Sequence, residues 1–110
     1  MHAYEIASLI AEQDSAKQDY LEFLRVPALS VGLYTLPAGG IDTQEPHSED
    51  EIYYVLSGRG SIFVAGENRA VSVGSVIYVP ATVEHRFHTI EEELRLLVVF
   101  APAEYTNAPK

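Results

Sequence analysis

From residue 28 to residue 100 the chain is a succession of short β-forming runs, each closed by glycine, proline or a cluster of acidic side chains. Residues 28–36, Ala-Leu-Ser-Val-Gly-Leu-Tyr-Thr-Leu, stop at Pro37 and the pair Gly39-Gly40. Residues 51–56 run to a predicted turn at Gly58-Arg59-Gly60, and residues 61–65 turn back at Gly66-Glu67-Asn68 into an antiparallel return over 69–73. Residues 75–79 follow Gly74 and stop at Pro80; residues 85–89 and 94–100 are predicted to pair across an acidic turn at 90–93. Short strands at close intervals with turn signals between them predict an all-β sandwich or barrel, and nothing suggests a parallel sheet with crossover helices. A chain of 110 residues has material for one such core and not two.

Before these strands, Ile6, Leu9 and Ile10 recur at helical spacing between acidic residues and predict a short amphipathic helix on the outside of the barrel. Residues 20–25 form either an edge strand or an extended arm. The expected organisation is therefore an N-terminal helix and arm over 1–27, a β-barrel over 28–104 and a tail over 105–110. One strand is apolar on both faces: Tyr53 and Val55 alternate with Ile52, Tyr54 and Leu56. A strand covered on one side only alternates apolar with polar, so something covers the second face. The N-terminal segment is the simplest cover, and a second copy of the chain is the other.

Two stretches carry chemistry. In residues 39–58, Glu45, His47 and Glu51 occupy odd positions, so in extended structure they share one face with Tyr53. The second stretch contains Gly74, Pro80 and His85, with Phe87 in the same phase as His85. Two imidazoles and one or two carboxylates aimed into one cavity describe a metal site.

The spacing of these anchors resembles the two sequence motifs of the cupin family. Gly39, His47, Glu51 and Gly58 keep the first motif's intervals, with Glu45 where its first histidine is expected; Gly74, Pro80 and His85 keep the second motif's, with Thr82 in place of a glycine and Thr89 in place of an asparagine. The resemblance implies a cupin-type antiparallel β-barrel, the jelly roll or double-stranded β-helix, and one divalent transition metal ion, Fe, Mn, Ni or Zn. His47, Glu51 and His85 would form a two-histidine, one-carboxylate set that leaves coordination positions open for water, dioxygen or substrate. Glu45 either adds a second carboxylate or turns away beside Pro46. Tyr53 and Phe87 either line the pocket or are ordinary core aromatics. Burying an ionised Glu51 with no counter-charge costs several kcal/mol, about what a cation removes, which favours a metal over a polar interior satisfied by hydrogen bonds alone. Glu49 and Asp50 read as solvated loop charges, and His88, out of phase with His85, as an outward residue.

The resemblance implies a metal-dependent enzyme of oxygenase, isomerase or lyase type acting on a small molecule, with a non-catalytic binding or sensing module as the alternative. It also implies a homodimer, since cupins commonly pair through their outer sheet. Lys and Arg total 7 against 16 Asp and Glu, a net charge of -9, which argues against nucleic acid and anionic membranes as partners. The absence of cysteine removes disulfides, thiolate ligands and a cysteine nucleophile. No phosphate-binding glycine loop and no Gly-x-Ser-x-Gly segment occurs, so nucleotide-binding and serine-hydrolase chemistries are not expected. The N-terminus shows neither a basic region nor a long apolar run, and the expected location is the cytoplasm. Cations are few in the two motifs, so an anionic substrate would be held by the metal itself.

Overall fold

The computed structural model describes residues 1–109. One helix, α1 (Ile6–Ala16), precedes six strands: β1 (Tyr20–Val26), β2 (Leu29–Leu36), β3 (Asp50–Val64), β4 (Glu67–Ser72), β5 (Val76–Val79) and β6 (His85–Ala101). All pairings are antiparallel, in the order β1-β2-β6-β3-β4, with β5 on the other edge of the first half of β3. The result is a jelly-roll sheet that folds over on itself without closing fully. Residues 20–25 are thus an edge strand rather than a free arm.

The two predicted turns at Gly58-Arg59-Gly60 and at residues 90–93 do not form. β3 and β6 each run straight through and bend together, with register shifts between Val55 and Ser61 and Arg59 paired to Glu92. Glycines and acidic runs are turn signals when a chain reverses; here they mark bulges in two long strands that pass around a corner of the jelly roll. Gly58 makes the corner possible: its φ is +87°, and a Cβ there would stand 1.9 Å from the Glu93 carbonyl oxygen. Around the bend Arg59 Nε lies 3.2 Å from Glu91 and 3.6 Å from Glu92, so the acidic residues read as a turn are the outward face of the corner.

Because of the bend, the first half of β3 lies between β5 and the second half of β6, while the second half of β3 lies between β4 and the first half of β6. Inward residues from both layers, among them Tyr53, Val55, Ile62, Val79, Phe87, Leu94, Leu96 and Val98, are almost fully buried in one cluster. Each such side chain contributes about 1.5–3 kcal/mol of transfer free energy, which is what holds a sheet with one open side together.

α1 packs on β1 and β2, burying Leu9 and Gln13, and the Gln13 amide donates to the Asp19 and Leu33 carbonyl oxygens, both at 3.1 Å. It does not reach the outer face of β3. Ile52 and Tyr54 remain 42% exposed, and Val76 and Tyr78 of β5 beside them are more exposed still. Of the two covers the sequence leaves open for this apolar face, the N-terminal segment does not supply one. Among the described residues no helix is long and apolar enough to cross a membrane.

Candidate metal centre

The side chains of His47, Glu51 and His85 meet at one end of the core. Glu51 and His85 sit on strands, near the start of β3 and at the start of β6, and both are almost fully buried. His47 comes from the irregular segment before β3 and is held by its backbone: its carbonyl accepts the Thr82 N–H at 2.7 Å, which ties the first motif to the second. Thr82 and Thr89 stand where the cupin motif has glycine and asparagine, and both have positive φ, 67° and 49°. The departures in side chain thus leave in place the left-handed backbone that glycine and asparagine favour.

Glu51 Oε1 lies 2.8 Å from His85 Nε2 and 3.3 Å from His47 Nδ1, and one donor atom from each residue falls within 4.8 Å of the others. Those separations suit hydrogen bonds, but the directions do not: His47 Nδ1, both Glu51 carboxylate oxygens and His85 Nε2 are buried without a hydrogen-bond partner. Buried polar atoms are rarely left unpaired. One donor atom from each of the three residues, two nitrogens and a carboxylate oxygen, clustered in this way form a set that fits a divalent transition ion.

The outer nitrogens are engaged in the way metal-ligating histidines require. His85 Nδ1 donates to the Val83 carbonyl at 2.9 Å, leaving Nε2 free to face the centre. His47 Nε2 lies 3.1 Å from Glu104 Oε2, leaving Nδ1 inward. Burial alone favours neutral imidazole at His47, but the Glu104 and Glu51 carboxylates outweigh it and push the group up to about 9. At His85 burial is likewise outweighed, chiefly by Glu51, and the value is raised. Glu51 is held below its ordinary range by the two imidazoles despite its burial. In the absence of a metal the imidazoles therefore serve as counter-charge to Glu51.

Glu45 does not join this set. β3 begins only at Asp50, so the alternation that would place position 45 in phase with 47 and 51 has no strand to carry it. Its side chain is exposed, at the rim of a cavity of about 440 Å³ that His47 also lines. Tyr53 and Phe87 pack edge to face, with centroids 4.9 Å apart, and are fully buried behind the triad; the lining of the cavity does not include them. The Tyr53 hydroxyl donates to the Gln44 side chain at 3.2 Å. His88 is half-buried against Asn68 Oδ1, at 2.8 Å, away from the triad.

Two carboxylates have roles that sequence reasoning missed. Glu49, read as a solvated charge, is 1% exposed. It accepts the backbone N–H groups of Tyr105 and Asn107 at 2.8 and 2.9 Å and the Ser48 hydroxyl, which together hold it below its ordinary range against the effect of burial. This ties down the C-terminal segment, whose Tyr105, Ala108 and Pro109 line the cavity. Glu104 is then fixed by its own backbone: its N–H donates to Ser30 Oγ at 2.9 Å and its carbonyl accepts from Arg25. No local pattern marks either residue, since each is defined by a partner far away in sequence.

Comparison with known proteins decides the family. The family model described as Cupin domain matches residues 32–100, more than half of the chain. The protein is a cupin. A curated relative, the uncharacterized protein SCO3923 of Streptomyces coelicolor, is 52% identical over 104 residues, covering 94% of this chain and 99% of that one. Among solved structures this cupin is similar to TT1209 from Thermus thermophilus, with a TM-score of 0.75 at 25% identity over 94% of this chain and 99% of the other. The DMSP lyase DddQ from Ruegeria pomeroyi shares the fold, with a TM-score of 0.68 at 19% identity over 79% of this chain; the cupin spans 49% of that lyase's length.

Proposed function

We propose that this cupin holds one divalent transition metal ion through His47, Glu51 and His85, and acts as a metal-dependent enzyme on a small molecule bound in the adjoining cavity. The clustering of three buried donor atoms, one each from His47, Glu51 and His85, none with a well-directed hydrogen bond, carries this reading. An ion held there supplies a Lewis acid with open coordination positions. The chain's own contribution is orientation: Val83 and Glu104 fix the two imidazoles, and Phe100 packs its ring 4.7 Å from that of His47. With Fe, Mn, Ni or Zn in turn, dioxygen uptake and then isomerase and lyase screens test the enzymatic part. Turnover that is lost in Glu51→Ala supports it. Binding of a small molecule without turnover under any metal favours a non-catalytic binding module instead.

We also propose that the protein is a homodimer through the outer face of β3 and β5. Ile52, Tyr54, Val76 and Tyr78 form an exposed apolar patch on adjacent, hydrogen-bonded strands, of the kind that marks an interaction site. Sedimentation of the wild type as a dimer at micromolar concentration, and of Tyr78→Lys as a monomer, is the expected result; a monomeric wild type removes the proposal.

A further inference from the structure

The cavity beside His47 has walls of an unusual composition for a site that must hold a small molecule. Tyr20, Tyr34, Phe100 and the exposed Tyr105 supply aromatic lining, and the charged side chains on the lining other than His47 are the carboxylates of Glu45 and Glu104. Among the described residues no lysine or arginine lines it. The nearby Arg25 is occupied by Glu22 at 2.7 Å and by the Glu104 carbonyl. Room for the Tyr20 ring is provided by Gly32, where a Cβ would come within 2.5 Å of the ring, so the aromatic wall is built into the backbone of β2. The Tyr20 hydroxyl is buried with no partner.

The balance of charge points one way. A divalent ion bound to the Glu51 carboxylate leaves one positive charge at the triad, and Glu45 and Glu104 more than offset it. An anionic ligand would face two carboxylates and, among the described residues, find no arginine or lysine, whereas a cation would meet carboxylates and an aromatic lining. Burial first, then the carboxylates of Glu104 for Tyr20 and Asp42 for Tyr34, push both hydroxyls above their ordinary value.

We propose that the cavity selects a small organic cation, an onium or protonated amine seated between the rings of Tyr20, Tyr34 and Phe100 and the carboxylates of Glu45 and Glu104. This rests on the proposed function in taking the cavity as the ligand site, but it does not need the metal. The scarcity of cations in the two motifs bears only on how an anionic substrate would be held; the cavity favours a cation because its carboxylates, Glu45 and Glu104, outnumber its one imidazole, His47.

The test compares three probes of equal shape by titration calorimetry: choline, its neutral carbon isostere neohexyl alcohol, and the anion tert-butylacetate. Each is titrated into metal-loaded and chelator-stripped protein. Choline is expected to bind about tenfold more tightly than the alcohol, the size of a desolvated cation–π contact with nearby carboxylates, and the anion most weakly. Glu45→Gln, at an exposed position outside the triad, should reduce choline binding severalfold and leave the alcohol unchanged. Tyr105→Ala, whose backbone contact with Glu49 survives the change, should weaken choline more than the alcohol. Equal or tighter binding of the alcohol or the anion, or no binding of any probe, overturns the inference. A cation preference that persists in protein unable to retain any metal supports the ligand class while the metal reading falls; metal retained with an anion preference does the reverse.

Discussion

Removing the Glu104 carboxylate tests how the C-terminal segment contributes to the proposed metal centre. In Glu104→Ala the His47 Nε2 loses the acceptor 3.1 Å away that fixes which nitrogen faces inward. Loss of such an outer partner typically lowers metal affinity about 10- to 100-fold, or roughly 1.4 to 2.7 kcal/mol. A second effect opposes it. With His47 at about 9, a metal binding at pH 7 must displace a proton, which costs the wild type roughly 100-fold in apparent affinity. The variant, with Glu51 alone to raise the imidazole, loses part of that penalty. The loss on mutation should therefore be small near pH 7 and reach its full size above pH 9, where His47 is neutral in both proteins. Competition titrations of Mn(II) or Zn(II) against a chromophoric chelator at both pH values measure it, with Glu45→Ala as a control that shares the cavity and does not touch His47. Equal affinity of Glu104→Ala and wild type above pH 9, or tighter binding by the variant there, refutes the reasoning and makes Glu104 a competitor of the metal.

The metal-free protein should lose stability as pH rises. His47 is raised in the folded state from 6.5 to about 9, so its contribution, on the order of 3 kcal/mol at most, is complete below 6.5 and disappears as pH passes through 9. Glu49 and Glu51 are lowered, so their contributions are present above the ordinary carboxylate range and vanish on acidification; urea denaturation from pH 4 to 10 should show a maximum between the two limbs, and a flat profile above 6.5 rejects the His47 assignment. Gly58→Ala places a methyl group 1.9 Å from the Glu93 carbonyl at positive φ and should destabilise by more than about 2 kcal/mol, read as a fall in melting temperature. Glu49→Ala removes the acceptor of two part-buried amides and should cost on the order of 1 kcal/mol, with hydrogen exchange accelerated at Tyr105 and Asn107 while the β3 core stays protected.

Strand content and site were legible in the sequence to different depths. Alternation and turn residues identify the β runs because both are local: each strand's inward side chains recur every second residue, and reversals need glycine or proline. The corner at Gly58 and residues 90–93 was not legible, because a turn and a paired bulge use the same residues and differ only in what lies across the sheet. His47, Glu51 and His85 stood out by motif spacing, which the backbone preserves even where Thr82 and Thr89 replace glycine and asparagine. Glu45 followed a strand phase that its loop does not have. Glu104 and Glu49 escaped notice because their partners, an imidazole and two amides, are brought to them only by the path of the C-terminal segment.

The most direct measurement is the metal content of tag-free protein purified without chelator, with Glu51→Ala and His85→Ala prepared alongside. The account predicts close to one equivalent of iron, manganese, nickel or zinc in the wild type and a near-complete loss in both variants. A wild-type protein that is isolated without metal and takes up none of the four on reconstitution contradicts it.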